Sequence, residues 1–192
     1  IKSGKALFIE KPPCQSEDEL LQLISMRKEA NFPQVTVGLQ KRNAPVIRIL
    51  KKKLQKCRGN MSYNLKYLTG AYPEGDALLD LFVHPLDYVT FLFGKAEVKF
   101  AEWVKHHTLM LVLKHEKATG ILELSTGYSW HDAKESMTVN TSNGIFEMNQ
   151  MDSLIYKGKQ TMFMGVPLEK VYPLKMVEVH LFDRNDFVPT IH

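Results

Sequence analysis

The change of pattern after Gly94 decides the fold. Residues 94–125 read GKAEVKFAEWVKHHTLMLVLKHEKATGILELS, in which short apolar runs with alternating residues are separated by turn residues, a pattern typical of strands. Runs of this kind continue along the chain: Glu97–Val104, Thr108–Glu116, Thr119–Ser125, Glu135–Asn140, Ile145–Met151 and Ser153–Tyr156. Asn143-Gly144 is a hairpin signal between two of them. Six consecutive strands without intervening helices predict one large, mostly antiparallel sheet.

The beginning of the chain alternates differently and predicts a βαβ unit. A short strand, Ala6–Ile9, leads into Pro12 and Pro13, and Val35–Leu39 forms a second β-branched strand. Between them Ser16 and Glu19 have the spacing of a capping box, and a helical apolar stripe extends to Ala30. A helix between two strands implies that the strands pair in parallel.

Two further helices and one strand are predicted between this unit and the large sheet. The first helix follows Asn43, has Pro45 in its first turn and ends near Gly59. A half-buried strand covers Ser62–Thr69, and a third helix covers Ala77–Phe93 and ends at Gly94. Helices first and strands later predict an α+β fold.

Composition indicates an ordinary globular protein. The 192 residues are 44% hydrophobic and 24% charged, with a net charge of +4. Most of the positive excess lies in one run between Lys51 and Arg58, which lacks interleaved aromatic residues, so we expect no nucleic-acid partner. Two cysteines, Cys14 and Cys57, suit a reducing cytosol, and no apolar run has the length of a membrane span. We therefore expect a cytoplasmic protein without a membrane partner.

Two groups of residues could carry chemistry. Glu10-Lys11-Pro12 follows the first strand of the parallel unit, at the edge where such sheets bind ligands. The alternative is an exposed lysine before a proline-rich turn. Asp80 and His84 lie four residues apart on a mostly apolar helix, so their side chains share a face and could either satisfy each other or serve a site. Pro85 should loosen the turn around Leu81 because it lacks an N–H.

Together these motifs make the chain resemble the glucose–fructose oxidoreductase, inositol dehydrogenase and MocA (Gfo/Idh/MocA) family of NAD(P)-dependent dehydrogenases. Glu10-Lys11-Pro12 is similar to the E-K-P motif of that family, and Asp80 with His84 is similar to its D-x-x-x-H motif. Residues 37–42, from Val37 to Arg42, resemble the last strand of its Rossmann domain. The resemblance implies that residues 1–42 end a dinucleotide-binding domain and that residues 43–192 form a substrate-binding and dimerisation domain.

The resemblance also implies residue roles. Lys11 would lie beside the nicotinamide and the substrate hydroxyl, His84 would exchange the hydroxyl proton, and Asp80 would hydrogen-bond the substrate. Glu10, Pro12 and Gln40 would shape the pocket of the cofactor, NAD or NADP. The substrate would be a sugar, a polyol or a related hydroxy compound, and the large sheet would pair two copies of the chain. No metal site is expected, because His106 and His107 are adjacent in a strand-rich segment and point to opposite faces.

The sequence departs from the pattern of the family in two ways. No G-x-G-x-x-G motif occurs in these residues, and both ends of the sequence look cut, so we expect a piece of a longer enzyme that is inactive by itself. The second motif contains Gly75-Asp76 where the family more often has two glycines. A non-catalytic dimerisation or carbohydrate-binding module, and a reductase of the biliverdin-reductase type, stay open as alternatives.

Overall fold

The computed structural model describes residues 5–29, 35–158, 161–163, 166–168 and 171–173. The predicted βαβ unit is present as strand β1 (Leu7–Ile9), helix α1 (Glu17–Glu29) and strand β2 (Val35–Val37), with Leu7 opposite Val35 in a parallel pair. Its last predicted helical residue, Ala30, lies outside the described residues. A 3₁₀ turn, Gln40–Asn43, follows β2.

Helix α1 begins as the capping box predicts. The Glu19 N–H donates to Ser16 Oγ at 3.2 Å, and Glu19 Oε2 accepts from the Gln15 N–H at 2.8 Å. The reciprocal bond thus goes to the residue before the cap. The apolar stripe of α1 is exposed among the described residues, at Leu20, Leu21 and Ile24. The sequence pattern therefore predicts the helix, but it does not indicate what the helix packs against.

Strand β3 (Met61–Leu68) lies at the centre of an eight-stranded sheet. The other members are β4 (Ala96–Val104), β5 (Thr108–His115), β6 (Ala118–Ser125), β7 (Lys134–Thr141), β8 (Gly144–Asn149), β9 (Ser153–Gly158) and β12 (Val171–Pro173). Their order is β12-β9-β8-β7-β3-β6-β5-β4. β3 pairs in parallel with β6 and antiparallel with β7, and the remaining pairs of this sheet are antiparallel. The predicted α+β fold with a mostly antiparallel sheet is confirmed. A separate hairpin joins β10 (Thr161–Phe163) and β11 (Val166–Leu168).

The predicted hairpin joins β7 and β8, but its two loop residues are Ser142 and Asn143 rather than the Asn143-Gly144 pair. Gly144 instead begins β8 with a φ of 142°, and a Cβ there would lie 2.2 Å from the Lys157 carbonyl oxygen. The close approach of β9, in addition to the turn, therefore requires glycine at this position.

Two helices cover one face of the sheet. Helix α2 (Pro45–Leu54) buries Ile47 and Leu50, and helix α3 (Val83–Phe93) buries Tyr88 and Val89; both share one core with the inward side chains of the strands. α2 ends at Leu54, earlier than predicted, and Gly59 (φ 80°) lies in the loop before β3. α3 ends at Gly94, whose φ of 89° suits only glycine. Of the helices described, none is long and apolar enough to cross a bilayer.

Candidate functional site

Lys11 reaches across the molecule to the turn that carries Asp80. It follows β1, where the Lys11–Pro12 peptide bond is cis. Its Nζ donates a hydrogen bond of 2.5 Å to the backbone carbonyl oxygen of Asp80. Two sequence motifs separated by 69 residues are therefore in direct contact.

The helix around Asp80 is widened. Leu78–Phe82 forms a π-helical turn, in which the Val83 N–H bonds back to the Leu78 carbonyl. Pro85 has no N–H and cannot supply a donor to the carbonyls four and five residues earlier, and Asp80 is one of these. The loosening predicted around Leu81 is thus found, and it occurs where the Lys11 ammonium binds the Asp80 carbonyl. Single π turns of this kind are frequent at functional sites.

The Asp80 carboxylate lies under the loop that precedes the helix. Tyr72 donates its hydroxyl to Asp80 Oδ2 at 3.4 Å, and a Cβ on Gly75 would lie 2.4 Å from the same oxygen. The next residue, Asp76, accepts the Leu78 N–H at 2.8 Å and so caps the helix. Gly75 therefore permits the close approach, while Asp76 provides a cap that a second glycine could not.

His84 is buried, with 8% of its surface exposed, and its Nδ1 has no hydrogen-bond partner among the described residues. Burial, which has the largest effect, and the nearby positive charges of Lys41 and Lys11 together lower the pKa of the imidazole from 6.5 to about 4. The ring is therefore neutral at physiological pH, as a general base must be.

Asp80 and His84 do not satisfy each other, although their spacing suggested it. The Asp80 carboxylate bonds to Tyr72, and the His84 Nδ1 has no partner in the part of the chain that the structure describes. Since the turn between them is π-helical, residues four apart no longer stack one above the other as in an α-helix. The structure brings Lys11 to the Asp80 backbone, and it brings the charge of Lys11 near His84.

A second polar group, Lys41 with Glu135, could not be found from sequence spacing. Lys41 Nζ forms an ion pair of 2.7 Å with Glu135 Oε2 and lies 4.6 Å from the centre of the Tyr67 ring. The fully buried Tyr88 hydroxyl faces the Glu135 carboxylate, which together with burial raises the Tyr88 pKa, burial having the larger effect. Neither that hydroxyl nor Glu135 Oε1 makes a well-formed hydrogen bond within the described residues.

Glu10 and Gln40 lie at the ends of the paired strands β1 and β2. The Gly38 N–H donates to the Ile9 carbonyl at 2.8 Å, and a Cβ on Gly38 would lie 3.0 Å from Glu10 Oε2. Gln40 begins the following 3₁₀ turn. These residues and Pro12 share one edge of the parallel pair, and their predicted cofactor contacts stay predictions.

An aromatic corner, Tyr128–His131, closes over the loop before Asp80. The Trp130 indole N–H donates to the Ala71 carbonyl at 2.8 Å, and a Cβ on Gly70 would lie 2.3 Å from the Trp130 ring. The corner therefore supports the segment that carries Tyr72.

The described residues contain no group of three or more histidine, cysteine or acidic side chains placed to bind a metal. His107 Nδ1 contacts Thr108 Oγ1, and His115 contacts the Tyr63 hydroxyl and the Gly94 carbonyl. These two histidines are therefore occupied by protein partners.

Solved structures give the clearest comparison. Levoglucosan dehydrogenase, in complex with NADH and levoglucosan, superposes with a TM-score of 0.72 at 17% identity, over 90% of this chain and 55% of that one. UDP-N-acetylglucosamine 3-dehydrogenase GnnA from Acidithiobacillus ferrooxidans gives 0.72 at 19% identity, over 90% and 57%. Over the matched part, which is a little more than half of each, the chain has the fold of these dehydrogenases.

A third structure extends the comparison. The WlbA dehydrogenase from Thermus thermophilus, in complex with NAD and UDP-GlcNAcA, gives a TM-score of 0.63 at 20% identity, over 76% of this chain and 53% of that one. The chain thus spans little more than half the length of the dehydrogenases it matches. No protein-family model matches the chain, and no curated protein matches it significantly in sequence.

Proposed function

We propose that this chain is the substrate-side part of an NAD(P)-dependent oxidoreductase of the Gfo/Idh/MocA type. The enzyme would transfer a hydride between a nicotinamide cofactor and a hydroxyl-bearing carbon of a sugar, a polyol or a related compound. The fold it shares with sugar dehydrogenases supports the reaction class. The observation that carries the proposal is the bond from Lys11 to the Asp80 carbonyl, because it unites the two motifs on which the resemblance depends.

The residues present fit the nicotinamide end of a cofactor. The Lys11 ammonium has three donors and gives one to Asp80, so two remain for oxygen atoms of a ligand. A bound nicotinamide would supply the acceptor or donor of the hydride. Glu10, Pro12 and Gln40 would border the same pocket, and the pyrophosphate would be held by another part of the whole protein, since the chain contains no G-x-G-x-x-G turn.

His84 would act as the general base. Its Nδ1 is buried, so Nε2 is the nitrogen that we expect to face the substrate hydroxyl. A neutral imidazole accepts the hydroxyl proton as the carbon loses its hydride, and returns it in the reverse direction. Lys11 would polarise the same oxygen, and the Asp80 carboxylate, held by Tyr72, would accept a hydrogen bond from a second substrate hydroxyl.

The test is turnover by the intact enzyme after single replacements. His84→Ala should lower kcat by about 10²–10⁴-fold, the usual contribution of a general base. Lys11→Met should weaken both cofactor binding and turnover. His106→Asn is the matched control, because His106 is exposed and its φ of 59° suits asparagine. Unchanged turnover in His84→Ala would exclude the proposed role.

A non-catalytic dimerisation or carbohydrate-binding module is the second candidate. Among the described residues, the face of the sheet opposite α2 and α3 carries Ile121, which is 47% exposed, and Phe100 is equally exposed on β4. Exposed apolar residues on a broad sheet are suited to a partner surface. This candidate predicts full function after Lys11→Met, whereas Ile121→Lys should abolish association measured by analytical ultracentrifugation.

A further inference from the structure

Two half-exposed tryptophans are joined to the segment that carries Asp80, and the catalytic roles assigned above use neither. Trp103, at the end of β4, is 47% exposed and stacks on Phe82 of the π turn, with ring centres 6.1 Å apart. Trp130, in the aromatic corner, is 53% exposed, and no ring of the described residues stacks on it. A large apolar side chain left exposed beside a candidate site is suited to ligand binding.

Trp130 is fixed to the same loop as Tyr72. Its indole N–H donates to the Ala71 carbonyl at 2.8 Å, and a Cβ on Gly70 would lie 2.3 Å from Cδ1 of the ring. Ala71 directly precedes Tyr72, whose hydroxyl bonds to Asp80 Oδ2 at 3.4 Å. The indole is therefore held in place before a ligand arrives, which lowers the entropy that binding would cost.

The groups on this loop match the two kinds of surface that a cyclic sugar presents. The C–H groups on one face of a pyranose ring are apolar and can lie flat on an aromatic ring, whereas the hydroxyls at its rim need hydrogen-bond partners. Trp130 offers the flat apolar surface. The Tyr72 hydroxyl, the Asp80 carboxylate and the Lys11 ammonium offer the polar partners. An open-chain polyol has no flat face and gains little from the indole.

We propose that Trp130 is a substrate-binding residue whose indole stacks on the ring of a cyclic sugar, so that the enzyme selects pyranoses over open-chain polyols. The inference rests on the proposed function, in which Asp80 and Lys11 contact the substrate. It narrows the substrate class, which hydride transfer by itself leaves open. Loss of the aromatic face should weaken binding of the sugar about tenfold, the upper end of what such contacts contribute beyond the area they bury.

Replacing Trp130 by Phe and by Leu separates stacking from the support of the loop. Both variants lose the indole bond to Ala71, but only Trp130→Phe keeps an aromatic face. A difference between the two variants therefore reports the ring and not the lost bond. Phe100→Leu is the matched control, because Phe100 is 47% exposed and shares a sheet face with Ile121, opposite α2 and α3.

The measurement is saturation-transfer NMR on the intact protein. The probes are the methyl pyranosides of glucose, galactose and mannose, which cannot open, and the alditols sorbitol, galactitol and mannitol. At least one pyranoside should bind, with its ring C–H protons saturated most strongly, and about tenfold more tightly than its alditol. The Kd of that pyranoside should rise about tenfold in Trp130→Leu, rise less in Trp130→Phe and stay unchanged in Phe100→Leu.

Three results would overturn the inference: no pyranoside binds, the alditols bind as tightly as the pyranosides, or folded Trp130→Phe and Trp130→Leu have the same Kd. If Trp130→Leu does not fold, the comparison of pyranoside with alditol in the original protein decides the question. Failure of the proposed function gives a different result, in which His84→Ala retains full turnover although pyranoside binding depends on the ring. Failure of the inference alone leaves His84→Ala inactive while the two Trp130 variants bind alike.

Discussion

Gly120→Ala is expected to be severely destabilising, because Gly120 lies directly opposite Tyr63 in the pairing of β6 with β3. A Cβ at this position would lie 1.8 Å from Cζ of Tyr63. The ring cannot retreat, since its other face stacks on Phe93 with ring centres 4.4 Å apart and nearly parallel planes. Its hydroxyl is also held, 2.9 Å from Nε2 of the buried His115.

The magnitude follows from these contacts. Overpacking a rigid core costs about 1–3 kcal/mol, and moving the ring breaks the Tyr63–His115 bond and leaves a buried nitrogen unsatisfied, at about 1–3 kcal/mol more. We expect the free energy of unfolding to fall by about 3–5 kcal/mol in Gly120→Ala.

Urea unfolding followed by circular dichroism measures this loss, provided that the m-value does not change. Gly158→Ala is the matched control: it is also a strand glycine, and the nearest side-chain atom to its added Cβ would be at an ordinary 3.5 Å. That change should alter stability by about 0.5 kcal/mol or less. In a Tyr63→Leu background, Gly120→Ala should cost far less, because the obstructing ring is gone. A Gly120→Ala protein as stable as the original would refute the argument.

Three further outcomes are expected. Burial and neighbouring cations hold the pKa of His84 at about 4 in the folded protein, instead of 6.5. Between these two values the unfolded chain binds a proton that the folded protein does not. About 3 kcal/mol of the free energy of unfolding, fully present above pH 6.5, should therefore be lost as the pH falls towards 4. Urea midpoints at pH 7 and pH 5 should differ less in His84→Gln, and an identical difference would contradict the assignment. Arg42→Met should cost about 2 kcal/mol, because it leaves the 8% exposed carboxylate of Asp87 without its two-pronged partner; Arg42→Lys should restore only part of this, and full restoration would count against the geometry. Trp130→Phe removes the indole bond to the Ala71 carbonyl, worth about 1 kcal/mol, so amide exchange should quicken in residues 70–76, and unaltered exchange would show that the corner does not support that loop.

Local sequence patterns were sufficient for most of the elements, although the β7–β8 loop and the end of α2 differ from the prediction. The alternation around Leu65 predicts β3, the cap at Ser16 predicts the start of α1, and Gly94 predicts the end of α3, because each signal depends on neighbours within a turn or a strand. The α+β class followed from the order of those elements. The resemblance in the two motifs likewise anticipated that Lys11 and the Asp80 helix belong together.

Other features depended on the tertiary structure. The insertion of β3 between β6 and β7 joins residues far apart in sequence, and no local period indicates which strand edges will meet. The spacing of Asp80 and His84 suggested a pair, but the turn Leu78–Phe82 is π-helical. Asp80 instead bonds to Tyr72, and the His84 Nδ1 has no partner among the described residues.

The sequence by itself thus determined the periodic elements, their class and the motif residues Lys11, Asp80 and His84. Only the tertiary structure decided the surroundings of those residues: the bond from Lys11 to the Asp80 carbonyl, the buried Nδ1 of His84 and the ion pair of Lys41 with Glu135. The physical reason is range. Hydrogen-bond periodicity and capping act within a few residues, whereas burial and electrostatic fields are set by groups that the chain brings together from distant positions.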